Sequence, residues 1–139
     1  MEKKFFSLIE LMIVLAIISI VGSSFGIWVF KLIEKERFYS DIKNLQKTVL
    51  MCHKMAQIRQ SDVFFILRKS SKGVKYEIEN ISLPMEKNLI SNSSMESNNK
   101  EIKSIKIEFS PSGGVYPGPT LIFLSKNKKY SKEFNFKSQ

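Results

Sequence analysis

The 139-residue chain has few of the residue types that build reactive or metal-binding sites. Cys52 is its one cysteine and His53 its one histidine. A lone cysteine excludes a disulfide within the chain, although a bridge between two chains stays open. Helix neighbours point about 100° apart, so Cys52 and His53 cannot both face one ligand, and no CxxC or HxxxH spacing occurs. Phosphate loops, nucleophile motifs and paired carboxylates are also missing. We therefore expect no enzyme, metal site or cofactor.

Proline and glycine are absent from Ile27 to Lys72, so nothing there interrupts a helix. Apolar residues in this stretch recur at intervals of three and four, which lines one helix face. They are Phe38, Ile42, Leu45, Val49, Cys52 and Ala56. The spacing predicts one long helix from about residue 6 to about residue 59. It places Cys52 in the core and His53 towards solvent.

Charge is nearly absent between Phe5 and Phe30, where Glu10 is the one charged residue. A helix over this run would be roughly 39 Å long, more than the roughly 30 Å apolar thickness of a bilayer. We therefore predict a membrane-spanning helix. A cleaved secretory signal is the alternative, since two lysines precede the run and Val21-Gly22-Ser23 fits a small-residue cleavage site. Placing a carboxylate in hydrocarbon costs roughly 2.5 to 3.5 kcal/mol or more, so the presence of Glu10 in this run requires an explanation.

The residues around Glu10 resemble the N-terminal segment of type IV pilins and type II secretion pseudopilins. The resemblance rests on residues 3–17, KKFFSLIELMIVLAI. It implies that a prepilin peptidase removes the basic leader, residues 1–5, and that Phe6 becomes the first mature residue and is methylated. It also implies that Glu10 meets the new α-amino group of a neighbouring subunit during assembly. Such a pair offsets part of the desolvation of the carboxylate.

The chain departs from that family at Phe5, where the family has glycine before the cleavage point. A peptidase that tolerates a bulky residue is one outcome. Otherwise the leader is retained, and Glu10 finds another partner or reaches towards the cytoplasmic interface. The departure therefore keeps open an unprocessed single-span membrane protein.

Small residues form a ridge along the predicted span. Ala16, Ser19, Ser23 and Gly26 are spaced three, four and three, and Gly22 with Gly26 forms a GxxxG pair. Such a ridge favours close helix packing in a filament or dimer. Small residues are also common in membrane helices, so a ridge without function stays open.

The second half of the chain predicts a small antiparallel β-sheet domain, which makes the fold α+β with a long N-terminal helix. Short apolar or alternating runs predict strands at 63–67, 74–81, 105–109, 120–124 and 133–136, the first two as a hairpin. Residues 83–101 lack periodicity and predict a mobile surface loop. The run IEFSPSGG, residues 107–114, followed by TLIFL, residues 120–124, resembles the FimT/GspH group of minor pseudopilins of H type.

The predicted exported domain, residues 31–139, is strongly basic. It has 20 Lys and Arg against 11 Asp and Glu, once Lys3, Lys4, Glu2 and Glu10 are removed from totals of 22 and 13. Anionic lipid headgroups, an acidic neighbouring subunit and nucleic acid are all candidate partners. A lysine-rich background composition explains the same numbers, and no nucleic-acid motif occurs.

Basic residues cluster after the span, which by the loop-charge rule places the domain in the cytoplasm. The pilin resemblance implies the opposite, and we follow it. We predict a single-pass protein of the bacterial inner membrane with leader 1–5, span 6–30 and a periplasmic domain 31–139. It would be a subunit, a minor pseudopilin, of a type II secretion pseudopilus or type IV pilus-like assembly. Its partners would be other pilin subunits, the prepilin peptidase and exported cargo. The alternative is a competence or adhesive pilus subunit that binds DNA.

Overall fold

The computed structural model describes residues 7–81 and 89–137, which form one long helix and nine strands. The helix, α1, spans Leu8–Arg59. Its predicted first residue, Phe6, lies outside the described residues. At its end Gln60 adopts a left-handed conformation (φ 52°) and the Ser61 N–H donates to the Ala56 carbonyl at 3.3 Å. This six-to-one bond is the pattern that closes helices at their C-termini.

The chain divides into two compact units, residues 1–36 and residues 37–139. In the second unit the predicted stripe of α1 is buried from Phe38 to Ala56, and four of its side chains, Leu45, Val49, Cys52 and Ala56, are fully inaccessible. The helical periodicity is therefore confirmed, as is the core position of Cys52.

The nine strands follow α1 in chain order. They are β1 (Val63–Ser70), β2 (Gly73–Glu79), β3 (Leu89–Ser91), β4 (Ser93–Ser97), β5 (Lys100–Glu101), β6 (Ser104–Phe109), β7 (Val115–Tyr116), β8 (Thr120–Ser125) and β9 (Ser131–Asn135). They form two sheets, one in the order β3-β2-β1-β6-β7 and one in the order β5-β4-β8-β9. Each recorded strand pair is antiparallel. The predicted α+β class with a long helix and a small antiparallel sheet domain is confirmed.

The predicted β1–β2 hairpin forms, with Phe65 opposite Ile78 and Leu67 opposite Tyr76. Its turn requires Gly73, which has φ 138° and whose added Cβ would lie 2.1 Å from the Ile90 carbonyl oxygen. No other residue type fits this close approach without moving the backbone of β3.

The prediction of a structureless loop at 83–101 is wrong over residues 89–101, which contain β3, β4 and β5. The residues before Leu89 in that range lie outside the described part. Serine and asparagine hide the alternation, but Ile90 and Met95 are fully buried in the core. Two apolar anchors and pairing to β2 and β8 are enough to hold these short strands.

The two sheets share one core with the second part of α1. Phe65 of the first sheet lies 6.4 Å from Phe136, which follows β9 of the second, and Phe136 lies 4.7 Å from Phe134. These ring separations fall in the range of favourable aromatic contacts. Within the run at 107–124, β6 pairs with the short strand β7 across the turn, whereas β8 belongs to the other sheet.

The predicted solvent-facing position of His53 is wrong. Its side chain is half-buried, with its ring 6.1 Å from that of Phe109. The turn after β6 comes so close that a Cβ on Gly113 would lie 3.6 Å from both the His53 and the Gln57 side chains. The turn residues cover a helix face that is adjacent to the apolar stripe, and the stripe alone does not reveal this.

A buried carboxylate fastens α1 to β3. Asp41 is only 4% exposed, and its Oδ2 accepts a 3.0 Å hydrogen bond from the Ser91 N–H. Burial raises the pKa of the nearby Tyr76; a hydrogen bond with Thr48 opposes the shift and the charge of Asp41 adds to it. Charge-assisted bonds of this kind are stronger than neutral ones, so Asp41 fixes the first turns of the domain helix against the sheet.

Leucines 45 and 50 of α1 offer a matched test of the stripe, because Leu45 is fully buried and Leu50 is 40% exposed. We expect Leu45→Ala to lower the free energy of unfolding by about 2–5 kcal/mol, since it leaves a cavity in the core. Leu50→Ala should cost less than about 1 kcal/mol. Urea unfolding of the full chain in detergent micelles, followed by near-ultraviolet circular dichroism, measures both. Equal losses would contradict the assigned stripe.

Burial raises the pKa of the Cys52 thiol to about 12. The native thiol should therefore react with a disulfide reagent at pH 8 only through unfolding, while an exposed cysteine introduced by Ser61→Cys reacts at once. The thiol pKa is higher in the folded chain than in the unfolded chain. The contribution of Cys52 to the free energy of unfolding is therefore complete below about pH 8.5 and is lost progressively as the pH rises towards 12. Absorbance kinetics in buffer and in guanidinium measure the difference. Rapid reaction of the native chain at Cys52 would show the burial to be wrong.

Candidate functional site

The N-terminus of α1 is closed by Ser7. Its Oγ accepts a 3.3 Å hydrogen bond from the Glu10 N–H, and its carbonyl accepts bonds from the N–H groups of Glu10 and Leu11 at 3.0 and 3.2 Å. Serine in this position with glutamate three residues later is the sequence pattern of a capping box. The helix therefore begins at Leu8 because Ser7 satisfies N–H groups that have no partner within the helix.

Glu10 lies in the first turn of α1, and its side chain is exposed. A carboxylate is stabilised there by the partial positive charge of the helix N-terminus. From Leu11 to Phe30 no further charged residue follows. Glu10 is thus a single negative charge held by backbone geometry at the start of an apolar surface.

That surface surrounds the helix up to Phe30, and Lys31 is the next charged residue. Large apolar side chains from Leu8 to Ile33 are exposed, many by more than half. Within the described residues α1 is the one helix long and apolar enough to cross a membrane. Trp28 stands near the end of the run, its ring 5.9 Å from that of Phe25, and Trp is enriched where a span meets the headgroups. A surface of this kind needs lipid or another apolar helix around it.

Two glycines open a groove in this surface. A Cβ placed on Gly22 or Gly26 would have no other atom within 4 Å. The groove has a volume of about 630 Å³ and is lined by Ile17, Ile18, Val21, Gly22, Phe25, Gly26, Val29, Phe30 and Ile33. Glycine pairs at this spacing let a second helix backbone approach closely.

The predicted ridge of small residues is only partly continuous with this groove. Gly22 and Gly26 line it, whereas Ala16, Ser19 and Ser23 do not. The Ser19 hydroxyl donates to the Leu15 carbonyl at 2.8 Å and the Ser23 hydroxyl to the Ile20 carbonyl at 2.9 Å. Both hydroxyls are thus satisfied within their own helix, and Ala16 is exposed beside them.

Phe5 and Phe6, between which cleavage is predicted, lie outside the described residues. Across the described ranges 7–81 and 89–137, no group of three or more His, Cys, Asp or Glu side chains is placed to hold a metal ion. The site consists of one capped helix end, one carboxylate and one grooved apolar surface.

Sequence reasoning missed Ser7 and the position of the groove. The S-x-x-E spacing of Ser7 and Glu10 was a readable signal for the cap. The groove was not readable, because it depends on how Phe25 and Val29 flank the two glycines.

In a comparison with protein families, residues 6–25 match the prokaryotic N-terminal methylation motif. No curated protein and no solved structure matches the chain. The match begins at Phe6, the predicted first mature residue, and covers Ser7, Glu10 and Gly22. This chain therefore carries, at the start of its long apolar helix, the prepilin signature of type IV pilin-like proteins.

Proposed function

We propose that the chain is a structural subunit of a pilin-like assembly, anchored in the membrane by the first part of α1 until it joins its neighbours. The observation that carries the proposal is the coincidence of the methylation motif at 6–25 with an apolar helix whose single charge stands in its first turn. Such a segment is stable in lipid and in a bundle of similar helices, because both surround it with apolar atoms.

Glu10 has two roles in this proposal. As the third helical residue after a serine cap it favours the helix start, which Ser7 supports through a direct hydrogen bond. As a carboxylate in low dielectric it attracts the α-amino group that cleavage before Phe6 creates on a neighbouring subunit. The attraction between the carboxylate and the α-amino group is stronger than the effect of Glu10 on the helix start only when both charges leave water together.

The groove at Gly22 and Gly26 supplies the packing surface. Helix association in an apolar environment depends on close van der Waals contact, because lipid tails offer no hydrophobic driving force. The open space above both glycines admits a neighbouring helix with its own side chains in the groove. Register would then be fixed at two points, the Glu10 charge and the groove, which are twelve residues apart.

At a finer level we propose a minor pseudopilin of the H type that acts in protein export, with the domain in the periplasm and the anchor in the inner membrane. Two features of the sequence support it. One is the FimT/GspH-like run at 107–124, and the other is that carboxylates able to bind calcium are sparse in the C-terminal third. In the structure the SPSGG turn in that run is closed by a bond from the Gly113 N–H to the Ser110 carbonyl, 3.0 Å, and packs beside His53.

Processing at Phe5 can be read directly from the intact mass of the chain purified from its native membrane. We expect loss of residues 1–5 and one added methyl group on Phe6. Phe5→Gly, which restores the family residue, should increase the processed fraction if the bulky side chain slows the peptidase. A full-length mass for the natural chain together with a processed mass for Phe5→Gly would show that this protein is an unprocessed anchor.

The contributions of Glu10 and Ser7 to assembly can be measured separately in a strain that lacks the gene and is complemented with variants. We expect Glu10→Gln, which keeps the side-chain shape but removes the charge, to lower the recovery of assembled subunit at least tenfold. Ser7→Ala should cost only about 1 kcal/mol of helix stability and leave assembly largely intact. Pelleting of sheared filaments and the amount of exported protein in the medium measure both.

The same strain tests the finer assignment. A minor pseudopilin predicts that export is lost while filaments made by other subunits persist. Wild-type assembly by the Glu10→Gln protein would contradict the charge pairing, and loss of filaments with the gene would identify a major subunit.

A further inference from the structure

Two hairpin tips of the domain meet at one end of it. The β1–β2 tip carries Lys72 and the β8–β9 tip carries Lys126. Asn92 bridges them, because its N–H donates to the Lys72 carbonyl at 2.9 Å and its carbonyl accepts from the Lys126 N–H at 2.6 Å. The two tips are therefore held side by side by backbone bonds and do not depend on the positions of flexible side chains.

A third segment brings more positive charge to this end. The Lys69 N–H donates to the Lys103 carbonyl at 2.7 Å, which places the start of β6 beside the β1–β2 tip. The hydrogen bond and charge of Lys69 hold the pKa of Glu101 below its usual value, and Lys128 and Lys103 add smaller effects. We call this surface the basic end; its lysines are Lys69, Lys72, Lys103, Lys126, Lys128 and Lys129.

The basic end has more lysine ammonium groups than carboxylates to pair with them. Its two carboxylates are engaged: Glu101 pairs with Lys69, and Glu96 lies 3.4 Å from the Lys128 ammonium. Among the described residues no carboxylate pairs with Lys72, Lys126 or Lys129, and all three are exposed. The end as a whole therefore attracts anions.

This end is the one at which the chain enters the domain. Asp41, in the first turns of α1 after Arg37, bonds to Ser91, and Ser91 pairs with Gly73 of the β1–β2 tip. The opposite end holds the turn at Gly113, which packs beside His53 and Gln57 near the end of α1. The lysines are thus gathered where the chain leaves the domain towards the apolar run.

Little chain separates that entry point from the apolar run. Phe30 ends the run and Arg37 begins the domain, so only six residues, 31–36, lie between them in the sequence. This joint contains Lys31 and Lys35 together with Glu34 and Glu36, so its charges balance, and Arg37 follows it. Because this joint is short, the domain is tethered to any membrane that the apolar run crosses, and the headgroups of that membrane are available to it at high effective concentration.

We propose that the basic end is a docking surface for anionic phospholipid headgroups of the membrane that α1 crosses, and that it holds the domain against the bilayer before assembly. A lysine near an anionic leaflet shifts a membrane equilibrium by about fivefold, so the three lysines that have no carboxylate partner shift it by about a hundredfold. The joint keeps nucleic acid and free proteins at a disadvantage, because they must be captured from solution. The inference rests on the membrane anchor of the proposed function and is independent of filament assembly.

The test uses the full chain in proteoliposomes with an environment-sensitive dye on Ser71→Cys, beside the β1–β2 tip. Buried Cys52 does not compete for the label. A second preparation carries the dye on Ser61→Cys, at the opposite end. Vesicles of pure phosphatidylcholine are compared with equimolar phosphatidylcholine and phosphatidylglycerol. Flotation in a density gradient reports insertion of the anchor separately.

We expect the dye at Ser71→Cys to become more fluorescent in the phosphatidylglycerol vesicles, and the rise to disappear in about 1 M NaCl, where the Debye length is only about 3 Å. The dye at Ser61→Cys should respond little. Lys72→Gln, Lys126→Gln and Lys129→Gln together should weaken docking by about a hundredfold and abolish the rise. A charge-matched control at the other end, Lys54→Gln, Arg59→Gln and Lys137→Gln together, should keep it.

Three results would overturn the inference in a chain that floats with the vesicles. One is an equal response at both dye positions, which indicates adsorption without a preferred face. Another is equal loss in the two triple variants. The third is no response to phosphatidylglycerol combined with binding of duplex DNA through the three tip lysines, which would assign the surface to nucleic acid. Failure to float would instead reject the anchor itself.

Discussion

The structure depends on one constraint: a single helix must be stable both in hydrocarbon and in the core of a folded domain. In hydrocarbon every backbone N–H and carbonyl needs an internal partner, which only a helix supplies within one segment. The same helix continues into the domain, where its apolar side chains narrow to one stripe. Leu45 and Val49 are fully buried there, while Leu11 and Ile18 earlier in the helix are exposed by more than half.

The stripe determines the size and layout of the domain. It offers about six side chains, from Phe38 to Ala56, and two small sheets cover them. Neither sheet is large, and the contact between Phe65 and Phe136 makes them one core. The buried carboxylate of Asp41 then fixes the helix against β3. These contacts join the two sheets and the second part of α1 into one core.

The helix, its stripe and most strands were predictable because each follows a short-range period that a sequence shows directly. The strands β3, β4 and β5 were not, since serine and asparagine surround their buried residues Ile90 and Met95 and the pairing partners are distant in sequence. The division into two sheets and the packing of the Gly113 turn on His53 also could not be predicted, because both depend on contacts between residues that are distant in sequence. At the candidate site the sequence singled out Glu10 and the glycines and also contained the S-x-x-E signal of the Ser7 cap, whereas the shape of the groove depends on side-chain positions that a sequence does not show.

The hydroxyls of Ser19 and Ser23 have a consequence for movement of this helix. Each donates to a carbonyl of its own helix, 2.8 and 2.9 Å away. Neither hydroxyl therefore brings an unmet hydrogen bond into lipid, and neither has to exchange a partner when the surroundings change from lipid to protein. These two hydroxyls therefore add little to the polar cost of placing the helix in any apolar surroundings, whereas the charge of Glu10 adds a large one.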